Sequence, residues 1–244
     1  ATLKRAFSYK RAVAVAVVIN SPGGSPVQSN LIFKRIRELA EENKIPVYVF
    51  AEDVAASGGY MLALAGDEIY ADPSSIIGSI GVISGTFGFD KAIEKIGVDR
   101  RVYTAGKSKS TLDPFKPEKA EDVKRLKKIL NEMHDTFKEM VRTRRADKLQ
   151  AKDDILFSGE FWTGNRALEL GLIDGIGELR AVMREKFGEK VILKLVSQDR
   201  GFLRRRLMLH RPDRLASADS LAAGWADELI GTLETRAIWS RYGL

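Results

Sequence analysis

The residue that most invites chemistry is Ser57, in Ala55-Ala56-Ser57-Gly58-Gly59. It follows an apolar, β-branched run at 45–51 and precedes a small-residue helical segment at 60–65. A sharp strand-to-helix turn exposes a serine hydroxyl, and the helix start supplies backbone N–H groups suited to a developing oxyanion. Glycine at the next two positions lets a substrate backbone approach closely. Taken alone, a serine here reads first as an ordinary helix N-cap. A second turn, Ser21-Pro22-Gly23-Gly24, also links an apolar strand to a helix. Neighbouring parallel strands share the edge where ligands bind, so the Gly24 and Gly58 amides can converge on one oxygen. Phosphate is the competing ligand for such turns. Neither turn matches the nucleotide-binding glycine patterns.

A nucleophilic serine needs a base. The chain has two histidines, His134 in a charged helical segment and His210 in a basic tail, and neither lies in a glycine-defined loop. Both are expected to pack or to face solvent. Asp53 and Asp67 lie near the serine in sequence, without an evident histidine to orient. Lysine is the alternative base, offered by the loop Gly106-Lys107-Ser108-Lys109-Ser110. Composition does not single out Lys109 within it.

These residues require a scaffold that alternates strands and helices. The continuous apolar run at 12–19 suits a parallel strand covered on both faces. A helix begins near Pro26, with Ser25 as its N-cap and Leu31, Ile32, Ile36 and Leu39 as its stripe. Strands are expected at 45–51, 68–71, 98–103 and 191–196, with a short one at 171–174. Helices are expected at 60–65, 91–96, 117–149, 163–170 and 178–187. Strand, crossover helix and strand in this order imply a right-handed parallel α/β architecture. Beyond it, 200–217 is basic and turn-rich, and Leu221, Trp225, Leu229 and Leu233 mark a last amphipathic helix.

The chain's 244 residues are enough for one substantial core, and 44% hydrophobic with 30% charged residues is an ordinary globular balance. With no cysteine, thiolate chemistry, disulfides and cysteine-ligated zinc are excluded. The net charge of +7 gathers at Arg142, Arg144 and Arg145 and at Arg204, Arg205, Arg206, Arg211 and Arg214. No aromatic-interleaved basic stripe accompanies it, so nucleic acid is not an expected partner. Anionic lipid, an acidic partner or plain solvent fits better. No apolar run reaches transmembrane length, and no signal peptide opens the sequence.

Four motifs in register carry a resemblance: Asn20-Ser21-Pro22-Gly23-Gly24, Ala56-Ser57-Gly58-Gly59-Tyr60, Gly78-Ser79-Ile80-Gly81-Val82, and Gly106-Lys107-Ser108-Lys109-Ser110 with Asp113-Pro114-Phe115. In order and spacing, over roughly 8–195, they resemble the signal peptide peptidase A (protease IV) family of Ser-Lys dyad peptidases. The resemblance implies a crotonase-like (Clp-protease-like) α/β fold of spiralling parallel sheets, whose upstream part is apparently absent here. It divides the chain into a peptidase domain at 1–196 and a basic arm with an amphipathic helix at 197–244. Carried over, Ser57 is the nucleophile and Lys109, the second lysine of its segment, the general base. Ser79 orients the lysine amine, and Gly24 and Gly58 supply oxyanion amides. Ser108 stands where an aromatic residue is common in the family. No cofactor or metal is implied. The implied partners are peptides, including signal-peptide remnants, and further copies of the chain. The implied location is the bacterial cytoplasmic membrane, with this chain as a soluble catalytic portion. An acyl-CoA hydratase or isomerase on the same fold, and a non-catalytic membrane or assembly scaffold, are the competing expectations.

Overall fold

The computed structural model describes residues 2–197 together with 239, 240 and 242. The basic tail, His210 and the expected last helix lie outside the described residues. After a short helix α1 (Thr2–Phe7), the chain builds a six-stranded mixed sheet around one long strand. β2 (Val47–Ala56) pairs in parallel with β1 (Val15–Ser21) along one edge. Along its other edge run β3 (Glu68–Ala71) and then β4 (Ile76–Gly78), both parallel to it. β5 (Phe161–Thr163) closes the β4 edge antiparallel, and β6 (Gly175–Ile176) extends β3.

The sheet is therefore mixed rather than wholly parallel. The apolar run at 12–19 is also not covered on both faces. β1 buries Val15 and Ile19 on one face, while Val18, which alternation directs to the other face, stays 46% exposed. Segments 98–103 and 191–196 form no strand. Both have strand-like composition, but a strand persists only where a sheet edge offers backbone partners, and among the described residues neither segment pairs with one. The short strand expected at 171–174 forms instead at Gly175–Ile176.

One irregularity in β2 matters for function. Ile19 pairs with Ala51 but Ser21 pairs with Ala55, so β2 advances four residues while β1 advances two. Such a bulge leaves backbone groups without ladder partners. Asn20 Oδ1 accepts from the Val54 amide at 3.2 Å, and its Nδ2 donates to Asp53 at 2.7 Å. From the opposite side, buried Ser75 donates to the Glu52 carbonyl at 2.5 Å. The bulge is thus satisfied on both sides and rigidly aims the end of β2, where Ser57 begins.

Helices cover the sheet. α2 (Pro26–Asn43) starts at Pro26 as expected, although Ser25 makes no side-chain capping bond. It buries Ile36, Leu39 and Ala40, whereas Leu31 and Ile32 are exposed. α3 (Gly58–Ala63) is almost wholly buried, and Tyr60 at its centre donates its phenol to the Leu172 carbonyl at 2.7 Å. Full burial pushes that phenol's pKa well up. α4 (Asp90–Lys95) is exposed. α5 (Ala120–Arg145) is shorter than the 117–149 expectation and is followed by a 3-10 turn, Ala146–Lys148. α6 (Asp153–Leu156), α7 (Gly164–Glu169) and α8 (Leu179–Phe187) complete the layer.

α5 is anchored by Phe137, Val141 and Arg145 on one face. Arg145 is 3% exposed, and a buried guanidinium must be fully paired to be tolerated. It donates to the Gly171 carbonyl at 2.8 Å and to Asp174 at 2.7 Å. Lys148 reaches the other Asp174 oxygen at 2.7 Å, and the Ile69 amide donates to Asp174 at 2.8 Å. That cluster fastens α5 to β3 and to the loop before β6.

Candidate active site

Ser57 occupies the junction between β2 and α3 at φ +51° and ψ −120°. A β-carbon is disfavoured at positive φ, so this conformation costs roughly 1–3 kcal/mol and persists only where surroundings enforce it. The enforcing contacts are visible. The Ser57 amide donates to the Gly78 carbonyl at 2.8 Å, and its own carbonyl accepts from Met61 at 3.0 Å in the first turn of α3.

The Ser21–Gly24 turn packs directly against this junction. A β-carbon placed on Gly23 would stand 3.0 Å from Ser57 Cβ and 3.3 Å from its Oγ. One placed on Gly58 would stand 3.2 Å from the Gly24 nitrogen and 2.6 Å from Ser29 Oγ. The two turns are therefore in contact, and no side chain fits at Gly58. Among the described residues, neither the Gly24 nor the Gly58 amide donates to a protein acceptor. Two unoccupied amides beside a strained serine form an arrangement able to hold an oxyanion.

Ser79 lies in the adjacent turn, also at positive φ, +52°. Its amide donates to the Glu160 carbonyl at 2.7 Å, just before β5. Gly78 has φ +109°, and a β-carbon there would fall 2.7 Å from the Trp162 ring. The antiparallel β4–β5 pair, which sequence patterning did not suggest, thus fixes the turn that carries Ser79. Tyr242 reaches the same place: its hydroxyl donates to the Pro22 carbonyl at 3.2 Å and lies 3.5 Å from Ser79 Oγ, with its ring against Phe161. Nothing in the sequence around Tyr242 signals that position.

Lys109 sits on the exposed loop between α4 and α5, its amide donating to the Gly106 carbonyl at 3.2 Å. Asp113 organises this loop: it pairs with Arg100, accepts from Ser110 at 3.3 Å and from the Phe115 amide at 3.1 Å. Those bonds hold its carboxyl below the usual carboxylate range, the pairing with Arg100 contributing most. Ser108 accepts from Arg125 at 3.0 Å, tying the loop to α5. The fold therefore brings together Ser57, Gly24, Gly58 and the Ser79 turn. Among the described residues no hydrogen bond joins Lys109 to Ser57. Asp53 is engaged by Asn20, and Asp67 by Arg37 at 2.8 Å and the Val47 amide at 2.9 Å, so both are structural.

With this geometry in view, the relatives are informative. The model of peptidase family S49 matches residues 40–191, which contain the Ser57, Ser79 and Lys109 segments. The chain belongs to that family. It is 32% identical over 94% of its length to the chloroplastic serine protease SPPA of Arabidopsis thaliana, covering 33% of that protein. It is also 58% identical over 99% of its length to a protein of Brucella abortus named Na(+)/H(+) antiporter NhaA, again covering 33% of it. A protein of the same name from Brucella melitensis is 57% identical over 99% of the chain, with 33% coverage of its own length. The chain spans about a third of the length of these curated relatives. Among the described residues no helix is long and apolar enough to cross a membrane.

Proposed function

We propose that the chain is the catalytic part of a serine endopeptidase, with Ser57 as nucleophile and Lys109 as general base. The observation that carries this reading is the strained Ser57 lying against two glycine turns whose Gly24 and Gly58 amides have no protein acceptor among the described residues. Membership of a peptidase family supports the same chemistry. The Lys109 assignment rests on its place in the Gly-Lys-x-Lys segment and on the lack of a histidine facing Ser57 among the described residues.

In the first step the unprotonated Lys109 amine accepts the Ser57 hydroxyl proton as Oγ bonds to the substrate carbonyl carbon. The resulting oxyanion is held by the Gly24 and Gly58 amides, each such donor contributing about 3 kcal/mol to the transition state. The C–N bond then breaks, Lys109 returns its proton to the leaving amine, and water hydrolyses the acyl-enzyme. Ser79 orients the lysine amine. The scheme requires the Lys109 amine to come within hydrogen-bond reach of both Ser57 Oγ and the leaving amine.

The fold in this reading is of the crotonase-like kind, and the substrates are extended apolar peptides such as signal-peptide remnants at a membrane. Self-assembly is part of the proposal: Ile83, Phe87, Ile96, Val98 and Tyr103 are all more than half exposed on the segment leading to Lys109, apolar side chains available to a second copy. Covalent labelling by a fluorophosphonate is the direct test. Stoichiometric modification of Ser57 supports the peptidase, and its absence, with tight coenzyme A binding or with no reactivity at all, favours the hydratase or the scaffold.

A further inference from the structure

We propose that His134 is a positioning residue for this centre, holding through the Ile80 carbonyl the turn that anchors Ser57 and presents Ser79. The proposal rests on the serine peptidase reading for its catalytic consequence, but not for the contact itself. His134 lies on α5, and its Nε2 is 2.9 Å from the Ile80 carbonyl oxygen. A carbonyl only accepts, so Nε2 carries the proton and donates. The ring is partly buried, and that burial, with Lys138 nearby, pushes its pKa below the ordinary histidine value, favouring the neutral ring.

The turn at 78–81 is bound at each of its residues. The Gly78 carbonyl accepts from the Ser57 amide at 2.8 Å, the Ser79 amide donates to Glu160 at 2.7 Å, and the Gly81 amide donates to the Ser79 carbonyl at 2.9 Å. Ile80 buries its side chain completely and gives its carbonyl to His134. Ser79 is held at positive φ, a conformation that persists only when neighbouring bonds over-determine it. His134 provides the bond from the α5 side. Its spacing from Phe137 and Val141 puts all three on the buried face of α5, so the long helix is coupled to the reaction centre through a polar contact as well as through packing. Without the donor, a partly buried carbonyl loses its partner, and the turn relaxes at Ser79 and Ser57.

Three variants of the full chain separate positioning from packing. His134→Phe keeps the ring's bulk without the donor, His134→Gln places an amide N–H at a similar reach, and His134→Asn carries the same group one bond short. Two quantities are read: the rate of fluorophosphonate labelling of Ser57, and hydrogen exchange of peptides covering 55–60 and 76–82. We expect His134→Phe and His134→Asn to slow labelling about tenfold and to speed exchange at Ser57 and Ser79, with His134→Gln within about threefold of the parent in both. Parental labelling and exchange in His134→Asn, or a His134→Gln no better than His134→Asn, overturns the proposal, and this pair decides it even if His134→Phe does not fold. If the parent itself is not labelled, the peptidase reading fails, and the exchange comparison alone then decides the positioning role.

Discussion

The Ser57 amide and the Gly78 carbonyl are joined at 2.8 Å, so the β2–α3 junction and the β4 turn move as one unit. Gly78 can serve in this way because, without a β-carbon, it accepts φ +109° in a place where that carbon would fall 2.7 Å from the Trp162 ring. Gly78→Ala introduces both backbone strain and a clash with that ring. It is expected to lower stability by about 1–3 kcal/mol in urea unfolding and to abolish Ser57 labelling.

Ser57 itself is a place where function opposes stability. Ser57→Ala should eliminate labelling and peptidase turnover while keeping the strained φ. Ser57→Gly should be equally inactive yet more stable than Ser57→Ala by about 1 kcal/mol, since glycine adopts φ +51° without a β-carbon penalty. Thermal denaturation of the two variants side by side measures the difference, and equal midpoints would show that the junction is unstrained.

The two lysines of the loop are expected to part company. Lys109→Ala should reduce turnover by at least about a hundredfold with an unchanged circular dichroism spectrum. Lys109→Arg should be nearly as inactive, because a guanidinium does not give up its proton to become a base. Lys107→Ala should retain most activity. Full turnover by Lys109→Ala would remove it from the mechanism.

Asp174 predicts a pH dependence of stability. Burial by itself would raise its carboxyl, but hydrogen bonds from Arg145 and Lys148, the Arg145 charge and the Ile69 amide outweigh that and hold it below the usual carboxylate range. A lowered folded-state value contributes stability above the unfolded value of about 3.9, and that stability is lost as pH falls through the folded value. Asp174→Asn leaves Arg145 buried without its counter-charge, and should cost about 3 kcal/mol at pH 7. The gap between parent and variant should narrow below about pH 4, as denaturant titrations across pH 2.5–7 would register.

The exposed segment before the Lys109 loop gives the test of assembly. Ile96 and Tyr103 are 72% and 90% exposed, and glutamate at both positions should leave the fold intact but lower the mass seen by light scattering. A parent already at the mass of one chain would exclude a second copy on this face.

Much of the local structure was legible from residue order. The chain leaves β1 at Pro22-Gly23-Gly24 and breaks from β2 into α3 at Ser57, where proline and glycines mark the ends of the apolar runs, and 68–71 is a strand in which Ile69 and Tyr70 favour extended backbone. The family likeness singled out Ser57, Lys109, Ser79, Gly24 and Gly58; the fold sets the Gly24, Gly58 and Ser79 turns against Ser57, while among the described residues no hydrogen bond joins Lys109 to it. What residue order did not reveal depends on partners distant in the chain. The strand at Phe161–Thr163 is only three residues long and exists because β4 offers it an edge. Segments 98–103 and 191–196 have strand-like composition, and among the described residues neither pairs with a sheet edge. Asn20 reads locally as a turn residue, yet it lies within β1 and satisfies a bulge more than thirty residues away. His134 reads as one polar residue on a charged helix until α5 is laid against the Ser79 turn. Backbone propensity acts over a few neighbouring residues and is carried by the sequence itself. Pairing of sheet edges, satisfaction of buried carbonyls and enforcement of positive φ at Ser57 and Ser79 require groups brought together by folding, and only the tertiary structure decides them.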